Sequence, residues 1–278
     1  MIGKSHLLLD RIKTEIEMTQ MKTIMKKLKM FEEQPKNALQ LSKTFDTLKE
    51  AKEFVGFELL SKPEKMAEYG FNMPASRCKA GSKMAKVKGT VCYDCYALKG
   101  RYKFPNVQNT LEKRYQFAIN SPYFVDIMSY IVGKRSKKVF RWFDSGDLQS
   151  TTMLEHICQV ARNTPQLSHW LPTKEWKIVA RFVEDGGVFP ANLCVRVSGL
   201  YKDGGPPIDF AERYGVTTSD VMNGKDFDNL KQVRPVFKCP SSNTTLGGRP
   251  RTKKEMNSCN DCVACYKNSV KNVTYRFH

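Results

Sequence analysis

From residue 138 to residue 198 the chain alternates β-rich runs with helical stretches, and nothing else restricts its fold as much. Residues 138–144 (Lys-Val-Phe-Arg-Trp-Phe-Asp) form a β-rich run that ends in Ser145-Gly146-Asp147. Residues 151–163 carry the 3.6-residue apolar spacing of an amphipathic helix. A short strand is expected at 168–172, a helix at 174–184, and a nearly continuous apolar strand at 193–198 (Leu-Cys-Val-Arg-Val-Ser). Strands joined through helices of this length form βα units, which predicts an α/β fold with a parallel sheet.

The flanks extend this pattern. Residues 106–120 and 123–132 read as helices separated by Pro122. Upstream, residues 69–74 are a strand candidate leading into Cys78, residues 46–55 a helix with Asp46 at its cap, and residues 5–33 a Lys-rich amphipathic helix. Downstream, residues 215–218, 233–237 and 272–277 are strand candidates. Three regions are expected: a helical extension over 1–65, a body over 66–238, and a cysteine-rich region over 239–278.

The cysteines carry the chemistry. Seven of the nine fall in two sets: Cys78, Cys92 and Cys95, and Cys239, Cys259, Cys262 and Cys265. Two thiolates spaced C-x-x-C reach one metal or cluster from a tight turn. Thiols gathered this way in a chain without an export signal are expected to hold metal rather than to form disulfides. Three thiolates can hold a [4Fe–4S] cubane with one iron open, and the C-x-x-C-x-x-C run with a remote fourth cysteine has ferredoxin-type spacing. Zinc is the alternative at both sets. Cys158 and Cys194, on a helix and a strand in apolar company, are expected in the core.

Charge bounds the partners. Lys and Arg number 46 against 28 Asp and Glu, a formal net charge of +18, which attracts polyanions such as nucleic acid or an acidic host protein. The basic loops at 79–103 and 249–254 flank the cysteines, and the first contains Tyr93, Tyr96 and Tyr102, residues suited to stacking on bases. No apolar run is long enough for a membrane span, and the first thirty residues lack a signal-peptide pattern. A cytoplasmic protein is expected, in the host cytoplasm if a phage encodes it. Nothing in the sequence fixes the oligomeric state.

A strand, a three-cysteine loop, helices, a strand ending in Gly-acid and further βα units resemble the radical S-adenosylmethionine (SAM) superfamily. That resemblance implies a partial (βα) barrel whose first cysteine loop binds a [4Fe–4S] cluster with an iron free for SAM. It also implies a SAM-contacting strand end at Ser145, Gly146 and Asp147, further contacts at Thr173, Lys174, Arg196 and Ser198, and an auxiliary cluster on Cys239 to Cys265. The superfamily's loop is C-x-x-x-C-x-x-C, whereas thirteen residues separate Cys78 from Cys92 here. Its Gly-Gly-Glu is reduced to Ser-Gly-Asp. The segments 72–78 (Asn-Met-Pro-Ala-Ser-Arg-Cys), 91–97 (Val-Cys-Tyr-Asp-Cys-Tyr-Ala) and 141–147, with Cys259 to Cys265 and a final strand, also resemble a phage family named the gene product 88 domain, whose name conveys no activity. The expectation is a radical SAM-type enzyme of unassigned substrate with no catalytic residue named. The competing expectation is a non-catalytic iron–sulfur or zinc protein that binds nucleic acid or a host protein through its basic surface.

Overall fold

A computed structural model describes residues 45–63, 66, 68–229, 236–242, 245–246, 249–250, 259 and 262–277. The helix expected over 5–33 and most of the loop at 249–254 lie outside the described residues. The fold is α/β around a seven-stranded, all-parallel sheet. Its strands are β1 (Gly70–Phe71), β2 (Val139–Trp142), β3 (Ser168–Thr173), β4 (Leu193–Ser198), β5 (Thr217–Met222), β6 (Val236–Lys238) and β9 (Asn272–Arg276), in the order β1-β2-β3-β4-β5-β9-β6. A separate antiparallel pair, β7 (Thr245–Leu246) and β8 (Arg249–Pro250), stands within the C-terminal region. The main sheet does not close: β1 and β6 are its edges.

The helices are α1 (Leu48–Val55), α2 (Lys79–Met84), α3 (Pro105–Asn120), α4 (Phe124–Arg135), α5 (Thr151–Asn163), α6 (Trp176–Glu184), α7 (Ile208–Tyr214) and α8 (Gly224–Asn229). Local chemistry sets their ends. Thr47, not Asp46, caps α1: its hydroxyl accepts the Glu50 N–H at 3.2 Å while the Glu50 carboxylate accepts the N–H groups of Asp46 and Thr47. Pro105 opens α3 where no N–H is needed, and the Ser150 hydroxyl caps α5 by accepting the Met153 N–H. The strand expected at 215–218 starts later, at Thr217. Gly215 instead ends α7 with φ +66°, a left-handed conformation that glycine tolerates best.

From β1 to β5 each strand pairs with the next in sequence. Right-handed connections between successive neighbours place all their helices on one face. On that face Phe71, Phe140, Trp142, Leu171 and Val195 join α4, α5 and α6 in the main core, with the expected core residue Cys158. Buried His169 is neutral there. The Trp142 indole N–H donates to its Nδ1 at 3.3 Å, so Nε2 carries the proton and donates to the Thr164 hydroxyl, which donates to the Val160 carbonyl.

The opposite face is covered by the C-terminal segment. Tyr266, Val263, Cys265 and Tyr275 pack with Val139 and Trp170. The chain's last strand enters the sheet between β5 and β6. It is fastened there by Asp220, whose Oδ1 accepts the Asn272 amide at 2.9 Å and the Thr274 hydroxyl at 2.7 Å.

Candidate metal centre

The first cysteine set is built on the loop after β1. The Met73 N–H donates to the Ser145 carbonyl at 3.0 Å, tying the exit of β1 to the exit of β2. A single 3-10 turn, Ala75–Arg77, then delivers Cys78 to the start of α2. Cys92 and Cys95 sit on the next turn, closed by the Cys95 N–H on the Cys92 carbonyl at 3.2 Å. Two contacts pin that turn: Thr90 donates to the Met84 carbonyl, and the Val91 N–H to Leu200 beyond β4. Gly81 leaves a cradle between the thiols. A methyl group there would lie 2.9 Å from the Cys78 Cβ, 3.6 Å from the Cys78 Sγ and 3.7 Å from the Cys92 Sγ.

The thiols act on one another electrostatically. Burial pushes the Cys78 thiol far up, and the charges of Asp147, Cys95 and Cys92 push it the same way. Burial also raises Cys92, but the Lys174 ammonium draws it back. Two neighbouring thiols, Cys78 and Cys92, that both resist ionisation are a poor arrangement for free thiolates. They suit a site whose own positive charge releases the protons.

The second set forms around β6 and β9. The Cys239 N–H donates to the Thr274 carbonyl at 3.0 Å, placing Cys239 directly beyond the end of β6. Cys259 and Cys262 share a turn, with the Cys262 N–H 2.8 Å from the Cys259 carbonyl. Cys265 lies 3.0 Å from the Tyr275 hydroxyl. Burial pushes its thiol up to about 12, the Tyr275 hydroxyl and Arg196 pull it down, and Cys239 and Cys259 raise it again.

All seven cysteines line one cavity of about 730 Å³ at the carboxyl ends of the strands. Among the described residues no three Cys, His, Asp or Glu side chains converge tightly enough to hold a single metal ion. A lone zinc draws its thiolates to about 2.3 Å from one centre. A cubane carries its irons on separate corners and spreads its ligands around a larger body. The seven thiols ranged around one cavity are donors that either group would take.

Of the expected SAM contacts, Ser145, Gly146, Asp147, Thr173, Lys174 and Ser198 line the cavity and Arg196 does not. The Ser145 hydroxyl donates to the Met73 carbonyl at 2.8 Å. Gly146 has φ +81°, and a Cβ there would come within 2.8 Å of the Met73 Cβ, so the chain crossing by itself requires the glycine. Asp147 is buried and committed: Oδ1 accepts the Thr173 hydroxyl at 2.6 Å and the Leu148 N–H at 2.8 Å, and Oδ2 the Lys174 N–H at 2.9 Å. Burial raises its carboxyl to about 6 against those three hydrogen bonds. It ties β2 to β3, and Thr173 is its partner in that tie. Arg196 is fully buried and does not line the cavity. Its guanidinium holds the C-terminal turn by donating to the carbonyls of Thr218 and Val270, at 2.7 and 3.1 Å. The Ser198 hydroxyl meets that of Ser219 at 3.1 Å.

Two expected base-stacking tyrosines are tied down as well. The Tyr96 hydroxyl donates to the Asp144 carbonyl, and that of Tyr102 to the Asp144 Oδ2 at 3.0 Å. Asp144 also accepts from Asn72, whose amide oxygen is held by buried Arg114. Sequence reasoning passed over this network and over Arg141, Trp170, Tyr266 and Tyr275, which line the cavity. A charged residue between Phe140 and Trp142 was the available signal for Arg141.

Among the described residues no helix is long and apolar enough to cross a membrane. A family model described as Gene product 88 matches residues 34–268. No curated protein and no solved structure matches the chain.

Proposed function

The chain belongs to the gene product 88 family of phage proteins, and we propose that it is an iron–sulfur protein of the radical SAM kind. Cys78, Cys92 and Cys95 would hold a [4Fe–4S] cluster with one iron open, and Cys239, Cys259, Cys262 and Cys265 a closed auxiliary cluster. One observation carries this reading: both cysteine sets border the same cavity, at the carboxyl edge of a parallel sheet. That edge is where such sheets bind ligands.

Held by Cys78, Cys92 and Cys95, a reduced cluster would supply one-electron reduction of a sulfonium cosubstrate. The chain's own residues do the rest. Lys174 places a positive charge beside Cys92 and is available to a carboxylate of SAM. Ser198 offers a hydroxyl on the next strand. Asp147 contributes indirectly, by holding the Lys174 backbone in place. Tyr266, Tyr275 and Phe237 give the cavity aromatic walls that exclude water from a reactive species.

Metal analysis tests this. Protein purified without oxygen should carry about eight irons and as many acid-labile sulfides per chain, and Cys92→Ala should lose about half of each. Stoichiometric zinc without sulfide overturns the reading.

A specific feature favours a second role, nucleic-acid docking. Exposed Lys83, Lys86, Lys88, Arg101 and Lys103 make no ion pair among the described residues, and Tyr93 and Phe104, on the same stretch, are about half exposed. Phosphates would meet the cations and bases the rings. Binding to a single-stranded oligonucleotide should weaken steeply with salt, and the Lys83/Lys86/Lys88→Ala variant should flatten that dependence. An unchanged salt slope assigns the cations to solubility or to an acidic protein.

A further inference from the structure

The middle of β2 holds a cation that the cluster reading leaves unused. Phe140 and Trp142 face the helices, so strand alternation turns Arg141 to the cavity face. There it stands beside its register partner on β3, Trp170, with the guanidinium carbon 4.5 Å from the indole centroid. That stacking fixes the plane of the fork.

The donors on this pair are poorly used. Arg141 Nη1 has the Met66 sulfur at 3.3 Å, a weak acceptor, and the guanidinium also meets the Tyr96 hydroxyl, whose proton goes to the Asp144 carbonyl. Arg141 Nε and Trp170 Nε1 are both buried without a hydrogen-bond partner. The acid whose charge acts on Arg141 is Asp144, but its carboxylate accepts from Asn72 at 3.2 Å and Tyr102 at 3.0 Å, and it forms no ion pair with Arg141 among the described residues. Asp144 also faces a second arginine, the buried Arg114, through Asn72. Its charge thus acts on two guanidinium groups without an ion pair to either among the described residues. A half-buried cation whose Nε is enclosed without an acceptor is costly unless something else supplies one.

We propose that Arg141 and Trp170 form an oxyanion-recognition subsite, which takes the carboxylate or phosphate of a small organic substrate. A planar two-oxygen group matches the guanidinium fork, and the Trp170 N–H adds a donor of the same polarity. Tyr266, 5.6 Å from Trp170 in an edge-to-face pair, supplies an apolar wall for the body of the molecule. Since both cysteine sets border this cavity, a substrate anchored here lies in the space they share. The assignment rests on reading the cavity as a reaction chamber, and the two are measured separately: clusters by iron and sulfide, the subsite by binding.

The experiment is calorimetric titration of protein purified without oxygen with three probes at constant ionic strength: inorganic phosphate, adenosine monophosphate and benzoate. At least one should bind saturably to the wild type, and Arg141→Met should weaken it about tenfold or more with iron content unchanged. Arg141→Lys, which keeps the charge but loses the fork, should fall between them and carries the test if the Met variant does not fold. Binding of benzoate alone assigns a carboxylate substrate; binding of either phosphate probe assigns a phosphate. The proposal is overturned if no probe binds, if Arg141→Met binds like the wild type, or if that variant loses iron. Iron loss would mean that the cation's partner is a cluster.

Discussion

Arg196→Ala should detach the C-terminal cysteine segment from the sheet. The side chain is fully buried and joins three parts of the chain. Nη1 donates to Thr218 on β5 at 2.7 Å, and Nη2 to Val270 at 3.1 Å. Longer contacts reach Lys267 at 3.4 Å and Ala264 at 3.5 Å. A hydrogen bond from a charged donor contributes about 1.5–3 kcal/mol, so the two short bonds give roughly 3–6 kcal/mol and the long ones little. Truncation also removes the cost of burying a guanidinium, which offsets part of this. The expected net loss is about 2–4 kcal/mol, a large share of the 5–15 kcal/mol that stabilises a typical domain. Urea denaturation should show it as a lower midpoint, and limited proteolysis should cut faster within 259–270. Arg196→Lys should recover part of the loss through one carbonyl. If Arg196→Ala keeps its midpoint within about 0.5 kcal/mol and instead loses SAM binding, Arg196 is a ligand contact and the clamp is wrong.

Two further outcomes follow from buried groups near the strand ends. Asp147, raised to about 6, keeps its proton in the fold where the unfolded chain has lost it, so it makes stability fall as pH rises from about 4 to 6. His169, lowered to about 4 by burial, acts oppositely: its stabilisation is full above about 6.5 and is lost as pH falls toward 4. In metal-free protein the slopes should nearly cancel between about 4 and 6, and Asp147→Asn should expose a rise with pH; an unaltered pH profile of the thermal midpoint would count against the buried carboxyl. Gly146→Ala should cost about 2–3 kcal/mol in thermal denaturation, from its positive φ and the Met73 contact, and a loss under about 0.5 kcal/mol would show that the crossing can give way.

What was legible in the sequence depended on locality. The C-x-x-C spacings, the helix over Thr151–Asn163 and the strand over Leu193–Ser198 are written within a few neighbouring residues, and the structure places the helix and strand at those bounds. The roles of Asp147 and Arg196 are not local. Thr173 lies 26 residues from Asp147, and Val270 lies 74 from Arg196. A strand-end acid reads the same whether it awaits a ligand or ties two strands together, until its hydrogen-bond partners are known. The slot taken by β9 was hidden for the same reason: its neighbours β5 and β6 precede it, and their lateral order follows from side chains such as Asp220 reaching Asn272 and Thr274.

That slot also bears on the shape of the sheet. Arg141 on β2 and Phe237 on β6 border the same cavity. Five strand-to-strand steps separate β2 from β6 in the order of the sheet. At about 4.8 Å per step, a flat sheet would hold them about 24 Å apart with their side chains standing parallel. They can face one cavity of about 730 Å³ only if the strands wrap around it. Helices confined to one face allow that wrapping, because the other face needs only a thin covering. The segment from Val263 to Tyr266 supplies that covering. The sheet therefore curls without closing, and β9 helps to bring the strand that ends at Cys239 around toward the loop that carries Cys78. Deleting β9 should then cost more than its own pairing: the second cysteine set would lose its place opposite the first, although all seven thiols would still be in the chain.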